Sequence, residues 1–165
     1  MNLYVVIFFL RLCPFSNCSF GICLNLFMQT VKAWTSHYNT DINKMTWNET
    51  RGWCQREYTD IVMVHNENVT RFLEKNLPEK SSSPYFWIGM KKINDIWTWA
   101  ANGQSVDNEN WAPTEPNNNN ADENCVELYT NTNNKGKWND DSCEHKKHPL
   151  CQKCKKLQMK DALLV

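Results

Sequence analysis

Apolar positions change period along the chain, with helical spacing in the first half of the polar-aromatic region and alternation in the second. Thr46 followed three residues later by Glu49 is a capping box, in which each side chain satisfies a backbone donor of the other at a helix start. It predicts a helix over 47–57, with Trp53 and Cys54 near its end. A second helix begins near Asn66, where Val69, Phe72, Leu73 and Leu77 recur at helical spacing until Pro78 stops it. Between them, the β-branched run Ile61-Val62-Met63-Val64 reads as a short buried strand. Past the loop composition of 81–84, the pattern turns to strands: an aromatic run over 85–90, then Ile96-Trp97-Thr98-Trp99 across a turn at Asn94-Asp95. Residues 126–129 and 137–140 read as two more strands, separated by an Asn-rich turn with Gly136. Helices first and strands later predict an α+β fold with antiparallel sheets.

The apolar run over residues 3–10, broken only by the Tyr4 hydroxyl, reads as the core of a secretion signal, with Ser19 and Gly21 as the best small-residue pair for cleavage. Composition turns polar and aromatic at Trp34, so residues 1–30 form an apolar leader, 31–152 the single folded domain and 153–165 a short tail. No run of about 20 uncharged apolar residues is present, and a membrane-spanning helix is not expected. Eight cysteines in 165 residues fit an oxidising compartment, so an extracellular protein, secreted or at the cell surface, is expected. The sequons at Asn17, Asn48 and Asn68 agree. Eighteen basic residues against eighteen acidic ones leave no electrostatic footprint for nucleic acid or an anionic membrane surface. Recognition must then reside in a local site.

The long polar stretch over 102–124, holding Pro113 and Pro116, is where such a site would lie. Glu115-Pro116-Asn117, Glu123 and, further on, Asn139-Asp140 concentrate oxygen donors of the kind a hard cation such as Ca²⁺ takes from carboxylates and amide carbonyls. A cis bond at Pro116 would turn both flanking side chains to one side. A solvated acidic loop has the same composition. Asp140, Asp141, His145 and His148 invite an acid–base reading, but no nucleophile motif accompanies them and Lys146-Lys147 reads as a solvated turn, so an enzyme is not expected.

Glu115-Pro116-Asn117, Glu123-Asn124-Cys125, Trp138-Asn139-Asp140, Cys143 and Cys151, with Trp87-Ile88-Gly89 upstream, resemble the C-type lectin family over about residues 33–152. Tyr58-Thr59-Asp60, Asn110-Trp111-Ala112-Pro113 and Cys125-Val126-Glu127-Leu128-Tyr129 are similar to selectin lectin domains in particular. The resemblance implies a C-type lectin-like fold with a long Ca²⁺-binding loop. It implies Glu115, Asn117, Glu123, Asn139 and Asp140 as ligands of Ca²⁺, with Glu115, Asn117, Glu123 and Asn139 also contacting the sugar. Two vicinal hydroxyls would complete the shell of the ion, and the Glu-Pro-Asn order implies fucose, mannose or N-acetylglucosamine rather than galactose. Tyr85 and Tyr129 are implied secondary carbohydrate contacts. Disulfides Cys54–Cys151 and Cys125–Cys143 are implied, whereas pairing of Cys13, Cys18, Cys23 and Cys154 stays open. The implied partners are glycans on glycoproteins or glycolipids, in adhesion or innate recognition. Asn131 and Thr132 stand where selectins carry basic residues, which leaves Lys91, Lys92, Lys135 and Lys137 as the nearest source of positive potential. The alternative reading is a lectin-like fold that binds a protein without calcium. No collagen-like or heptad repeat marks an oligomerising stalk, and the oligomeric state is not set by the sequence.

Overall fold

A computed structural model of the chain describes residues 5–8, 31–81 and 85–157. Ser19, Gly21, Cys13, Cys18 and Cys23 lie outside the described residues, as does the end of the tail from 158. Strands β1 (Val5–Phe8) and β2 (Val31–Tyr38) precede helix α1 (Trp47–Glu57) and the two-residue β3 (Asp60–Ile61). Helix α2 (Glu67–Asn76) leads to β4 (Tyr85–Ile93) and β5 (Ile96–Trp99). After the long loop come β6 (Cys125–Tyr129), β7 (Trp138–Asp141) and β8 (His148–Leu157).

Local chemistry fixes the helix starts. The Thr46 hydroxyl accepts the Glu49 N–H at 3.3 Å while the Thr46 N–H donates to the Glu49 carboxylate at 2.9 Å. Asn66 caps α2 by accepting from the Val69 N–H at 3.1 Å. Each helix turns one stripe inward, Trp47, Thr50 and Cys54 from α1 and Val69, Thr70 and Leu73 from α2. The β4–β5 turn puts Asn94 and Asp95 at φ of 49° and 61°. Two consecutive left-handed residues suit a tight hairpin, and Asn and Asp tolerate that region better than most side chains.

The sheet runs in the order β1-β2-β8-β4-β6-β7, with β3 added beside β8 and β5 beside β4. It is mixed rather than purely antiparallel, because β4 and β8 run parallel through Phe86↔His148 and Trp87↔Pro149. Phe86, Ile88, Met90, Val126, Leu128 and Leu150 are fully buried beneath α2 and the indoles of Trp99 and Trp138. The strand expected over 61–64 stops at Ile61, since the chain there feeds two neighbours instead of one ladder. The Val62 N–H donates to the Leu150 carbonyl at 2.9 Å, and the Val62 carbonyl accepts from Gly89 at 2.7 Å. Only glycine permits that approach, as a Cβ at position 89 would stand 2.9 Å from the Val62 oxygen. Cys54 is bonded to Cys151 and Cys125 to Cys143, as the resemblance implies, and Cys154 has no disulfide partner among the described residues.

His148 opens β8 as a buried ring tilted against Phe86, and its Nδ1 has no hydrogen-bond partner among the described residues. Burial first, then the Lys80 and Lys44 ammonium groups, push its pKa down to about 4. The depressed value means that below about pH 6.5 the unfolded chain binds a proton that the folded chain refuses, so stability falls as pH drops toward 4. Full linkage between pH 7 and 5 is about 2 kcal/mol, and roughly half of that after solvent screening. Urea unfolding at both pH values should show this loss in the wild type and its absence in His148→Phe. Equal pH dependence in the two proteins would sink the assignment.

Candidate functional site

The loop between β5 and β6 returns to the end of β7, and a single carboxylate gathers it. Asp140, 1% exposed, accepts the Asn117 N–H at 2.9 Å on one oxygen and the Asn118 N–H at 3.0 Å on the other. Asn118 itself lies in the left-handed region at φ 47°, which asparagine tolerates better than most side chains. The Glu115–Pro116 bond is cis, and the Glu115 carboxylate accepts the Asn117 N–H at 3.2 Å. The Asn117 side-chain oxygen accepts from the Asn119 N–H at 2.9 Å, which leaves it a second lone pair. Asn118 reaches forward to the Glu123 N–H at 3.2 Å, tying the start of β6 to the same loop.

The site is rich in negative charge and short of donors. Burial, the Asp140 charge and a hydrogen bond to Asp140 raise the Glu115 pKa. Burial also raises Glu123, against the lowering effect of the Asn119 N–H, and Asp140 and Asp141 add to it. Glu123 Oε2 is buried with no hydrogen-bond partner among the described residues. An orphaned carboxylate oxygen beside two further carboxylates fits a cation: the donors are hard oxygens, and a divalent ion would relieve the repulsion. Among the described residues no three His, Cys, Asp or Glu side chains by themselves form a metal-binding group. Glu115, Glu123 and Asp140 are thus not such a group on their own, and the amides of Asn117 and Asn139 would have to complete the set.

Asn139 is held from another direction. Its Nδ2 donates to Glu127 Oε1 at 2.9 Å, which turns its carbonyl end away from Glu127. No hydrogen bond joins it to Glu115, Asn117, Glu123 or Asp140 among the described residues. Glu127 is 2% exposed and faces Asn139 across the β6–β7 ladder. Lys147 is not the solvated lysine expected from sequence. Its side chain is 11% exposed, and Nζ lies 2.6 Å from both Glu127 and Asp141. Asp141 also pairs with His145 at 2.7 Å. Burial works against every ion here. It wins at Glu127, whose pKa is raised despite Lys147, and it loses at Asp141 and Lys147, which their partners hold ionised. The missed signal was Glu127 itself, a carboxylate between Val126 and Leu128 in a strand with no solvent face.

Tyr85 and Tyr129 are cross-strand partners with ring centroids 5.3 Å apart. Burial, then the nearby Glu127, raises the Tyr129 pKa, so its hydroxyl stays a donor. Lys91 and Lys92 are engaged over the Trp47 and Trp97 rings, at 5.4 and 4.6 Å, and Lys137 donates to Asn110 at 2.7 Å.

Two capped helices, a mixed sheet closed by two disulfides and a carboxylate-gathered loop define a lectin-like recognition domain. The chain belongs to the C-type lectin family, whose Lectin C-type domain model matches residues 43–153. It is 41% identical to L-selectin of Bos taurus over 121 residues, covering 72% of this chain and 32% of that protein. Against P-selectin of Rattus norvegicus the identity is 40% over 124 residues, covering 73% of this chain and 16% of that protein. The match thus spans a third or less of these selectins. Among solved structures, human lithostathine superposes with a TM-score of 0.63 at 25% identity, covering 74% of this chain and 92% of that chain. The cow CD23 carbohydrate-recognition domain, determined in the presence of GlcNAc2Man3 oligosaccharide, gives 0.60 at 26% identity, covering 75% and 88%.

Proposed function

We propose that this chain is a Ca²⁺-dependent lectin of the extracellular space that takes fucose- or mannose-type sugars of glycoproteins or glycolipids, in adhesion or innate recognition. The observation that carries the reading is the set of carboxylates at Glu115, Glu123 and Asp140, with one buried oxygen left without a partner. Glu115, Asn117, Glu123, Asn139 and Asp140 would hold the ion, which supplies open coordination positions for two neighbouring sugar hydroxyls. Glu115 and Glu123 accept hydrogen bonds from those hydroxyls, and the amides of Asn117 and Asn139 donate to them. Tyr85 and Tyr129 offer phenolic hydroxyls for a second sugar residue. We assign the lectin domain to residues 31–152 and a secretion signal to 1–30, while Val5–Phe8 pairs with β2 and β8 carries the sheet on to Leu157. Among the described residues no helix is long and apolar enough to cross a membrane. Single-sugar affinity is expected to be weak, since few ligand atoms are engaged, and clustering would supply avidity.

The test is a glycan array probed with the refolded chain in Ca²⁺, in chelator, and at pH 4.5. Binding to fucosylated or mannosylated glycans is expected in Ca²⁺ alone. The raised pKa values of Glu115 and Glu123 make them take up protons before an ordinary carboxylate does, so acid should release the glycan by about pH 4.5. No Ca²⁺-dependent signal from correctly disulfide-bonded protein would leave the calcium-free, protein-binding reading in its place.

A further inference from the structure

Thr50 lies wholly buried on the inward stripe of α1, between Trp47 and Cys54, and its hydroxyl has no hydrogen-bond partner among the described residues. A buried hydroxyl without a partner weakens a fold, because the water it gave up is not replaced. Valine has nearly the same shape and similar helix propensity, so the fold offers no reason for an oxygen here. The sequence does. Thr50 is the third residue of Asn48-Glu49-Thr50, and transfer of an oligosaccharide to asparagine requires a hydroxyl at that place. The requirement is met on the extended chain, before α1 buries the hydroxyl.

Asn48 suits the acceptor role. It is exposed in the first turn of α1, and its side chain makes no hydrogen bond among the described residues. It also borders a shallow, open groove of about 650 Å³ with Asn43, Lys44, Gly52 and Arg56, which leaves room for a bulky substituent. Asn68 is exposed in the first turn of α2 as well, but the Thr70 hydroxyl donates to the Asn66 carbonyl at 3.4 Å and so has a folding role. Its sequon makes no comparable argument.

We propose that Asn48 bears an N-linked glycan and that Thr50 keeps its buried hydroxyl for that transfer. The donor is a lipid pyrophosphate-linked oligosaccharide. Asn48 Nδ2 forms the bond to the first sugar carbon as the bond from that carbon to the pyrophosphate breaks; the amide gives up one proton and the lipid pyrophosphate leaves. The inference rests on the extracellular reading above.

The full chain is expressed in an animal cell line, both as it stands and behind a heterologous secretion leader. Occupancy of Asn48 is read by peptide mass spectrometry after enzymatic deglycosylation in isotopically heavy water. Asn48 should be occupied in secreted protein, retained in Thr50→Ser and lost in Thr50→Val. Once all are deglycosylated, Thr50→Val should melt higher than wild type, by about 2–6 °C. Occupancy only behind the heterologous leader shows a competent acceptor but overturns the extracellular reading, and with it the modification of the natural chain. An unoccupied Asn48 in disulfide-bonded, leader-secreted protein overturns the proposal, as does a Thr50→Val protein that melts lower than wild type.

Discussion

Replacing Lys147 with methionine is expected to destabilise the domain by about 3–5 kcal/mol at neutral pH, the cost of leaving buried carboxylates without their cation. The ammonium lies 2.6 Å from Glu127 Oε2 and 2.6 Å from Asp141 Oδ2, with those side chains only 2% and 10% exposed. It also sits 4.5 Å from the Tyr85 ring centroid and 5.7 Å from that of Trp87. Methionine preserves most of the volume and the aromatic contact, so the loss isolates the charge. Adding Glu127→Gln should recover part of the stability, because the Gln amide still offers an acceptor to Asn139 and carries no uncompensated charge. Urea unfolding of the single and double variants measures both effects. A single variant within 1 kcal/mol of wild type, or a double variant less stable than the single, is incompatible with this network.

Much of the fold was legible because local and tertiary demands agree. Thr46 with Glu49, Asn66, and Asn94-Asp95 each set a boundary by chemistry within a few residues, and the boundaries stand where those signals put them. Strands β2 and β8 were not legible, since neither has a reason to be a strand without the other. Their register from Val31↔Leu157 to Tyr38↔Leu150 joins segments more than a hundred residues apart, and polar side chains such as Thr35, Lys153 and Gln152 obscure any alternation. Lys147 failed for the same cause. Lys146 and Lys147 are adjacent in sequence, yet only Lys147 meets Glu127 and Asp141, and that is decided by where β6 and β7 pass. The ligand candidates were legible by family pattern, but their support was not. Asp140 capping Asn117 and Asn118, and Glu127 orienting Asn139, are relations between strand and loop that no spacing encodes.

Replacing Glu115 with glutamine is expected to separate binding from folding, since the two respond in opposite directions. Without the ion, burial and then the Asp140 charge raise the Glu115 pKa, so its ionised form weakens the fold above the pH at which it titrates. Glutamine keeps the length and an oxygen for the Asn117 N–H but drops the charge. In chelator, then, Glu115→Gln should melt no lower than wild type. In Ca²⁺ at a hundredfold over its dissociation constant, the wild type should gain about 2.7 kcal/mol of stability by linkage, and the variant should lose most of that gain. Glycan retention should vanish with it, since the variant lacks both a metal-binding carboxylate and a charged acceptor for the sugar hydroxyl. Thermal melts in chelator and in Ca²⁺, run beside glycan-column retention, give all three readings. A variant that melts several degrees lower in chelator would mark Glu115 as a structural residue. One that keeps both the Ca²⁺ shift and retention would remove it from the ligand set and leave the cation to Glu123, just before β6, and Asp140 within β7.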